Sequence, residues 1–306
     1  MWFKNLCVYR LADTFDLSAE ALHERLGQQA FRRCGSLEMA SIGWVPPLGR
    51  EGHMLTHGAN GCIMVTTRKE EKVLPVAVVR EIVAEKVLEL ESEQMRTLRR
   101  QEKEDIRDEV LQDLLPRAFT RSKLTYAYIA PRDGFLVVDS ASAQKAEELI
   151  GLLRETLGSL RVKPLKVRQA PAAVMTAWLE GRDKAPGFEP LDECEMRDPG
   201  EEGGVVRCRK QDLSSEEMQG HLRAGKQAVR LAVEWNQRLS CVLGDDLIMR
   251  RLRFAEVLEE EAANSGEDAA ALFDADFALM SMELAAFLPN LLEVFGGEEQ
   301  DLEKAA

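Results

Sequence analysis

Residues 75–118 carry a helical pattern that is interrupted by a wholly polar stretch. Apolar residues recur at helical spacing around Ile82 and Val87, and again around Ile106. Between Leu98 and Ile106 the chain contains no apolar residue. Because a helical pair with a polar middle cannot be buried along its whole length, residues 75–118 are predicted to form a projecting tip rather than a core element.

Strand and helix patterns flank this tip on both sides. Residues 1–74 read as strand–helix–strand–strand, and residues 119–180 read as strand–strand–helix–strand followed by a short helix. This order predicts an α+β fold class, in which two small layered α+β units form one central domain with the long helical pair inserted between them. Residues 181–306 are predicted to form a C-terminal α+β domain.

Four local expectations concern loops and helix ends. Residues 46–60 are rich in Pro and Gly and are expected to form a loop between two strands. Ser214 is expected to begin a capped helix. Residues 255–295 are expected to be helical with a break at residues 264–266. The acidic tail from Gly296 is expected to be mobile.

The charge balance limits which nucleic-acid binders this chain can resemble. Its 306 residues include 53 acidic and 40 basic side chains, which gives a net charge of −13. A surface that is basic all over is therefore excluded. Nucleic-acid binding would require Lys and Arg to be gathered on one face, with the acidic residues elsewhere.

Cysteine usage and hydropathy indicate the cytoplasm. The six cysteines lie far apart with no Cys-x-x-Cys pair, which is typical of free thiols in a reducing compartment. The most apolar stretch, residues 277–295, contains Glu283 and Pro289 and therefore predicts a buried amphipathic helix rather than a membrane span. Lys4 and Arg10 interrupt the first apolar stretch, which predicts a strand rather than a signal peptide.

Two residue pairs that could suggest a metal or a catalytic site have simpler explanations. His53 and His57 have the spacing of a helical metal pair, but glycines surround them and no third ligand is evident. Asp245 and Asp246 lie between two predicted strands, where they are ordinary turn residues. The sequence has no phosphate-binding loop, dinucleotide fingerprint or nucleophile elbow. Neither an enzyme nor a cofactor is predicted.

Acid-free basic runs are the strongest functional signal. In an acidic chain such runs are candidates for phosphate contact, while solvated cations or cations paired with Asp and Glu explain the same pattern. The first two runs are residues 117–123 and 207–211, and the residues predicted to contact DNA come from them: Arg117, Phe119, Arg121, Lys123, Arg207, Arg209, Lys210 and Gln211. A third run, residues 250–253, ends in Arg251 and Arg253, whose alternation can place both on one face of a strand.

Three further features leave alternatives open. Arg223, Lys226 and Arg230 are spaced roughly as one helical stripe, for which a solvated face is the simpler explanation. Phe119 fits a core anchor at the foot of the tip, a subunit contact, or a wedge against bases. The Met- and Phe-rich residues 273–295 suit either a core or a subunit interface.

Four separated segments agree in order and spacing with one known family. They are residues 1–6, 43–49, 114–121 and 198–212. Together they resemble the RdgC family of bacterial recombination-associated proteins. The resemblance implies crescent-shaped subunits that pair into a closed ring homodimer, with a basic inner wall around duplex DNA. It also implies binding of duplex and single-stranded DNA without sequence preference, restraint of RecA, and a nucleoid-associated location.

On this resemblance, residues 117–123 and 207–211 are expected at the inner wall or at the ring contacts. The predicted function is that of a non-enzymatic protein that limits RecA by encircling its DNA substrate. The alternative is a regulator that contacts RecA directly, with DNA binding incidental. A hydrolase that uses Asp245 and Asp246 would need a metal, and nothing in the sequence supports one.

Overall fold

The structure is a computed structural model that describes residues 1–182, 185–200, 203–264 and 268–299. It is a mixed α+β fold, as the sequence predicts. Residues 265–266 of the predicted helix break and the acidic tail from residue 300 lie outside the described residues. Within the described residues, no helix is both long and apolar enough to cross a membrane.

The described strands form a twelve-stranded sheet in which the paired strands run antiparallel. The strands are β1 (Asn5–Leu11), β2 (Ala40–Val45), β3 (Thr56–Ala59), β4 (Cys62–Val73), β5 (Phe119–Ala130), β6 (Phe135–Val138), β7 (Val162–Pro164), β8 (Phe188–Arg197), β9 (Val205–Arg209), β10 (Gln227–Trp235), β11 (Leu239–Gly244) and β12 (Met249–Phe254). Their order is β2-β4-β5-β6-β1-β12-β11-β10-β8-β9, with β3 beside β4 and β7 beside β1. The short pairing of β1 with β12 joins the first half of the chain to the second.

The helices lie between these strands. They are α1 (Ala19–Leu26), α2 (Val76–Gln94), α3 (Arg100–Leu114), α4 (Ala143–Leu157), α5 (Pro171–Leu179), α6 (Glu216–Arg223), α7 (Glu256–Asn264) and α8 (Ala269–Val294). The N-cap of α1 is Ser18, whose hydroxyl accepts a hydrogen bond from the amide of Ala21. For α6 the predicted start is wrong by one residue: its N-cap is Ser215, whose side chain makes no capping hydrogen bond.

The predicted helical tip corresponds to α2 and α3, which follow β4 and precede β5. The two helices pack on each other through a small cluster of their own that includes Val79, Leu98 and Val110. The polar stretch, residues 99–105, forms the N-cap and the first turns of α3, where Glu102 accepts a hydrogen bond from the amide of Arg99 at 2.7 Å. Most other side chains of the pair are exposed or half-buried, as a projection requires.

Two larger hydrophobic clusters cover the sheet unequally. One face is buried along both halves, because α8 packs across it with side chains such as Phe277 and Phe287. The opposite face is buried beneath α1 and α4 only in the first half, around Leu22 and Leu149. In the second half that face carries mainly charged side chains on β8, β9, β10 and β12 rather than a hydrophobic cluster.

The outer part of β5 is an open sheet edge. β4 pairs with β5 along its whole length, from Ile63 opposite Ile129 to Val73 opposite Phe119. β6 pairs with the other side of β5 only over residues 127–130. Among the described residues, no strand covers that side of residues 119–124, which we call the β5 edge.

The predicted loop at residues 46–60 is partly wrong. Its last residues form β3, which pairs with β4 from Thr56 opposite Val65 to Ala59 opposite Cys62. The hairpin turn is Asn60-Gly61, and both residues have positive φ, at 51° and 73°. Asn-Gly is the commonest sequence for this turn, so the missed strand had a local signal.

The expectation of a mobile tail is also wrong for residues 296–299. The Glu298 carboxylate accepts hydrogen bonds from Arg10 of β1, with an Nη2–Oε2 distance of 2.6 Å. The amide of Glu299 donates to the carbonyl of Lys166 at 3.0 Å. These contacts attach the segment after α8 to the sheet.

Candidate nucleic-acid interface

Arg207 and Arg209 lie on β9 and point to the charged face of the sheet. Alternate side chains of a strand face opposite ways, so Cys208 between them points into the core, where its thiol lies 3.3 Å from the sulfur of Met218. The pairing of β9 with β8 places Arg207 opposite Glu195 and Arg209 opposite Glu193. The strand itself therefore fixes the direction of both guanidinium groups.

Arginines from two other strands converge on the same place. Together they line a pocket of about 390 Å³, which we call the arginine pocket. Arg230 comes from β10, and Arg250 and Arg251 come from β12. The pocket is lined by Glu193, Cys194, Glu195, Arg207, Cys208, Arg209, Arg230, Val242, Arg250 and Arg251.

A buried carboxylate organises one side of the pocket. The Glu195 side chain is only 7% exposed and contacts three guanidinium groups. Arg197 and Arg207 donate to it at 2.6 Å and 2.8 Å, whereas Arg230 lies at 3.7 Å. Burial alone would raise the pKa of Glu195, but the hydrogen bonds from these arginines outweigh it, so the pKa is lowered. The carboxylate therefore stays ionised at neutral pH.

The other side of the pocket is organised by Glu193. Arg251 lies 2.5 Å from its carboxylate, and Arg209 lies at 3.5 Å. The pKa of Glu193 is lowered chiefly by the hydrogen bond from Arg251. Arg251 belongs to β12 and Glu193 to β8, so this ion pair crosses the two strands between them. That contact requires the sheet face to be concave here.

Positive charge exceeds negative charge around the pocket. Arg250 is neutralised by Asp246, which it contacts with both terminal nitrogens. Glu193 and Glu195 are shared among the remaining arginines: Arg197, Arg207, Arg209, Arg230 and Arg251. Guanidinium groups bind phosphate oxygens well because their planar fork matches the geometry of the anion. A concave, net-positive face of this kind is suited to phosphate groups.

The structure separates Lys210 and Gln211 from these arginines. Lys210 has a positive φ of 53° and turns the chain away at the end of β9. The amide of Gln211 donates to the carbonyl of Asp192 at 3.1 Å. Gln211 lines a different pocket, of about 430 Å³, beside side chains such as Trp178 and Leu213. The second predicted run is therefore divided between two neighbouring surfaces.

The first predicted run lies elsewhere, on the β5 edge. Arg117 ends a short 3₁₀ helix before the strand, and Arg121 lies 3.6 Å from Glu71 on β4. The pKa of Lys123 is lowered, first by partial burial and then by the neighbouring charge of Lys145. Phe119 is 87% exposed, so the core-anchor interpretation is wrong for the single chain. A subunit contact or a DNA contact remains.

Of two other basic patterns in the sequence, the structure contradicts one and agrees with the other. The helical stripe is wrong: Arg223 is on α6, Lys226 follows that helix, and Arg230 is on β10. Arg251 and Arg253 are both exposed on β12, as their alternation suggested, although Arg251 has a positive φ of 54°. Arg230 is considered in the sequence only as part of that stripe, and Arg197, which contacts Glu195 beside the pocket, is not predicted.

His57 and Asp246 each belong to a residue pair that could suggest a metal or a catalytic site, and each makes contacts elsewhere in the fold. His57 lies on β3 and contacts Asp274 of α8 at 3.0 Å. Asp246 accepts a hydrogen bond from the amide of Ile248 at 3.1 Å, as a turn residue does. No group of three or more His, Cys, Asp or Glu side chains among the described residues is arranged to hold a metal ion.

Similarity to known proteins covers almost the whole chain. Residues 1–298 match the family described as "Putative exonuclease, RdgC". The chain is 49% identical over 301 residues to the recombination-associated protein RdgC of Pseudomonas paraeruginosa (strain PA7), an alignment that covers 98% of both chains. It is 47% identical over 303 residues to the protein of the same name from Aeromonas hydrophila, which covers 99% of this chain and 100% of that one. The chain therefore belongs to the RdgC family of recombination-associated proteins.

Proposed function

We propose that this protein binds DNA without sequence preference, with the arginine pocket as part of the binding surface. The observation that carries the proposal is the excess of guanidinium groups over carboxylates on one concave sheet face, in a chain whose net charge is −13. Phosphate contacts position a protein on DNA but carry no sequence information. Such a surface is expected to accept any sequence.

Binding through phosphates predicts a strong dependence on salt. The logarithm of the binding constant should fall linearly with the logarithm of salt concentration, with a slope of roughly −0.9 for each phosphate neutralised on duplex DNA. The test is an electrophoretic titration of duplex and single-stranded DNA at two salt concentrations, with a scrambled sequence as control. A strong preference for one short sequence, or binding that is insensitive to salt, would contradict the proposal.

The proposal includes a ring-shaped homodimer built from layered α+β units, with 75–118 as a separate tip and 181–306 as a second domain. Three exposed apolar side chains near the junction of β5 and the tip support a subunit contact there: Phe119, Val73 and Val76. In a ring, the acidic residues can lie outside while cations line the opening. Light scattering should give the mass of two chains at micromolar concentration.

A ring also makes a topological prediction. Linear DNA should release the protein from its ends during a salt challenge, whereas covalently closed circles should retain it longer. A matched control is the same circle cut once by a restriction enzyme, because only its topology differs. Equal release from both forms would contradict encirclement while leaving DNA binding intact.

The biological role that we propose is to limit RecA on the nucleoid in the cytoplasm. The family is associated with recombination, and a protein that occupies DNA competes with RecA for its substrate. The alternative is direct contact with RecA. If added duplex DNA abolishes the inhibition of RecA by titrating the protein, occupancy is supported; if RecA is captured in the absence of DNA, the alternative is favoured.

The family description mentions an exonuclease, so this activity needs its own test. We propose that the protein is not an enzyme. Incubation with end-labelled linear duplex and Mg²⁺ or Mn²⁺ should release no nucleotides. Metal-dependent release that is abolished by Asp246→Asn, but not by a surface control such as Asp108→Asn, would contradict this part of the proposal.

A further inference from the structure

Two arginines of the pocket make only long contacts with its carboxylates. Arg230 lies 3.7 Å from Glu195, and Arg209 lies 3.5 Å from Glu193. Neither guanidinium group makes a hydrogen bond shorter than 3.5 Å to another described residue. Their neighbours differ, because Arg207 and Arg251 donate to the same carboxylates at 2.8 Å and 2.5 Å.

Both carboxylates already accept shorter hydrogen bonds from other arginines. Glu195 is buried and already accepts from Arg197 on one oxygen and from Arg207 on the other. Glu193 is engaged by Arg251. The carboxylates therefore attract Arg209 and Arg230 electrostatically but do not occupy all of their hydrogen-bond donors. Their side chains are 75% and 43% exposed, which leaves their donors accessible to an anion.

The strand arrangement lets both groups reach one point. β8 lies between β9 and β10 in the sheet; Arg230 is in register with Glu195 of β8, and Arg209 is in register with Glu193, two residues away. Neighbouring strands are about 4.8 Å apart and two residues along a strand rise about 7 Å, so the two side chains start roughly 12 Å apart. Two arginine side chains that lean over β8 can span that gap and meet a single small anion.

We propose that Arg209 and Arg230 form a discrete seat for one phosphate group above β8. Glu193 and Glu195 are positioning residues that fix the surrounding guanidinium groups. The inference deepens the DNA-binding proposal and rests on it for the source of the phosphate, which would be the DNA backbone. The chemistry of the seat itself requires only a phosphate group, free or esterified.

A discrete seat and a diffuse positive field respond differently to a substitution that keeps the charge. Lys retains the charge of Arg but presents a point charge instead of a planar fork with several donors. A seat should therefore lose most of its affinity in Arg230→Lys, whereas a diffuse field should be almost unchanged. The matched control is Arg223→Lys on α6, since Arg223 is exposed and paired with Glu216 outside the pocket.

The experiment is calorimetric titration of the protein with inorganic pyrophosphate at low salt, with thermal unfolding of each variant to verify folding. Wild-type protein and Arg223→Lys should bind about one equivalent per chain, and Arg230→Lys should bind about tenfold more weakly. The seat is overturned if wild-type binding does not saturate, or if folded Arg230→Lys matches the wild type.

A second arm identifies the source of the phosphate. Pyrophosphate at saturating concentration should displace labelled duplex DNA more effectively than sodium chloride of equal ionic strength. Equal displacement would overturn the assignment to the DNA backbone. If the protein binds pyrophosphate but no DNA at any salt concentration, the DNA-binding proposal fails while the seat stands, so the two failures are distinguishable.

Discussion

Replacing Arg209 and Lys210 with Ala should weaken DNA binding in a way that can be calculated. Arg209 contacts its carboxylate only at 3.5 Å, and both side chains are exposed at the end of β9. If each contacts one phosphate, the salt slope should flatten by about 1.8 units on duplex DNA. Between about 50 and 200 mM salt, the affinity of the variant should therefore fall about tenfold less than that of the wild type.

Fluorescence anisotropy with a labelled duplex at four or more salt concentrations measures both slopes. The stability of the variant should change by less than about 1 kcal/mol, because exposed ion pairs contribute little. The control is Arg96→Ala with Arg100→Ala on the tip, where the two arginines pair with Glu102 and Glu104. Equal losses from both double variants would indicate a diffuse surface, and a loss only from the tip variant would refute our placement of the DNA.

Three further predictions concern stability, assembly and pH. Phe287→Ala should destabilise the fold by about 3–5 kcal/mol in urea denaturation, because the ring is fully buried at 5.5 Å from that of Trp235; a cost below about 1 kcal/mol would contradict the role of α8 in the core. Phe119→Ser should leave thermal unfolding almost unchanged but reduce the dimer fraction in light scattering at low concentration; an unchanged fraction would remove Phe119 from the subunit contact. Hydrogen bonds from Arg96, and then from the start of α3, lower the pKa of Glu102 from 4.5 to about 2. Because the folded pKa is the lower one, this stabilisation is complete above about pH 4.5 and is lost as the pH falls toward 2. Thermal unfolding of Glu102→Gln should therefore depend less on pH in that window than that of the wild type, and identical dependence would refute the contribution.

Local patterns in the sequence predict many of the helices and strands but not which distant segments they contact. The helical pair and the strands of the first half follow from periodicity. The β3 strand was missed although Asn60-Gly61 signals a hairpin, because the Pro and Gly residues before it dominate the segment. The attached segment at residues 296–299 depends on Arg10, which is far away in the chain, and no local pattern reports that contact.

The candidate site shows the same limit more sharply. Acid-free runs identified Arg207 and Arg209, but Arg230 lies in a strand that looks unremarkable by itself. Its place in the pocket follows from strand order, since β10 becomes a neighbour of β8 only through the topology of the sheet. Glu195 would also be discounted in sequence as a surface acid, yet it is 5% exposed as a residue and holds the pocket together. Register across strands, rather than composition, creates this site.

The open β5 edge has a consequence for solubility. Unpaired backbone groups along a strand can pair with the same edge of another molecule, which leads to aggregation. Arg121 and Lys123 lie on this edge, and identical edges that approach each other would bring these like charges together. Salt weakens this repulsion because it screens the charges. Self-association through this edge is therefore expected to increase with salt as well as with protein concentration. Whatever these cations bind, they also discourage strand-to-strand self-association of the exposed end of β5.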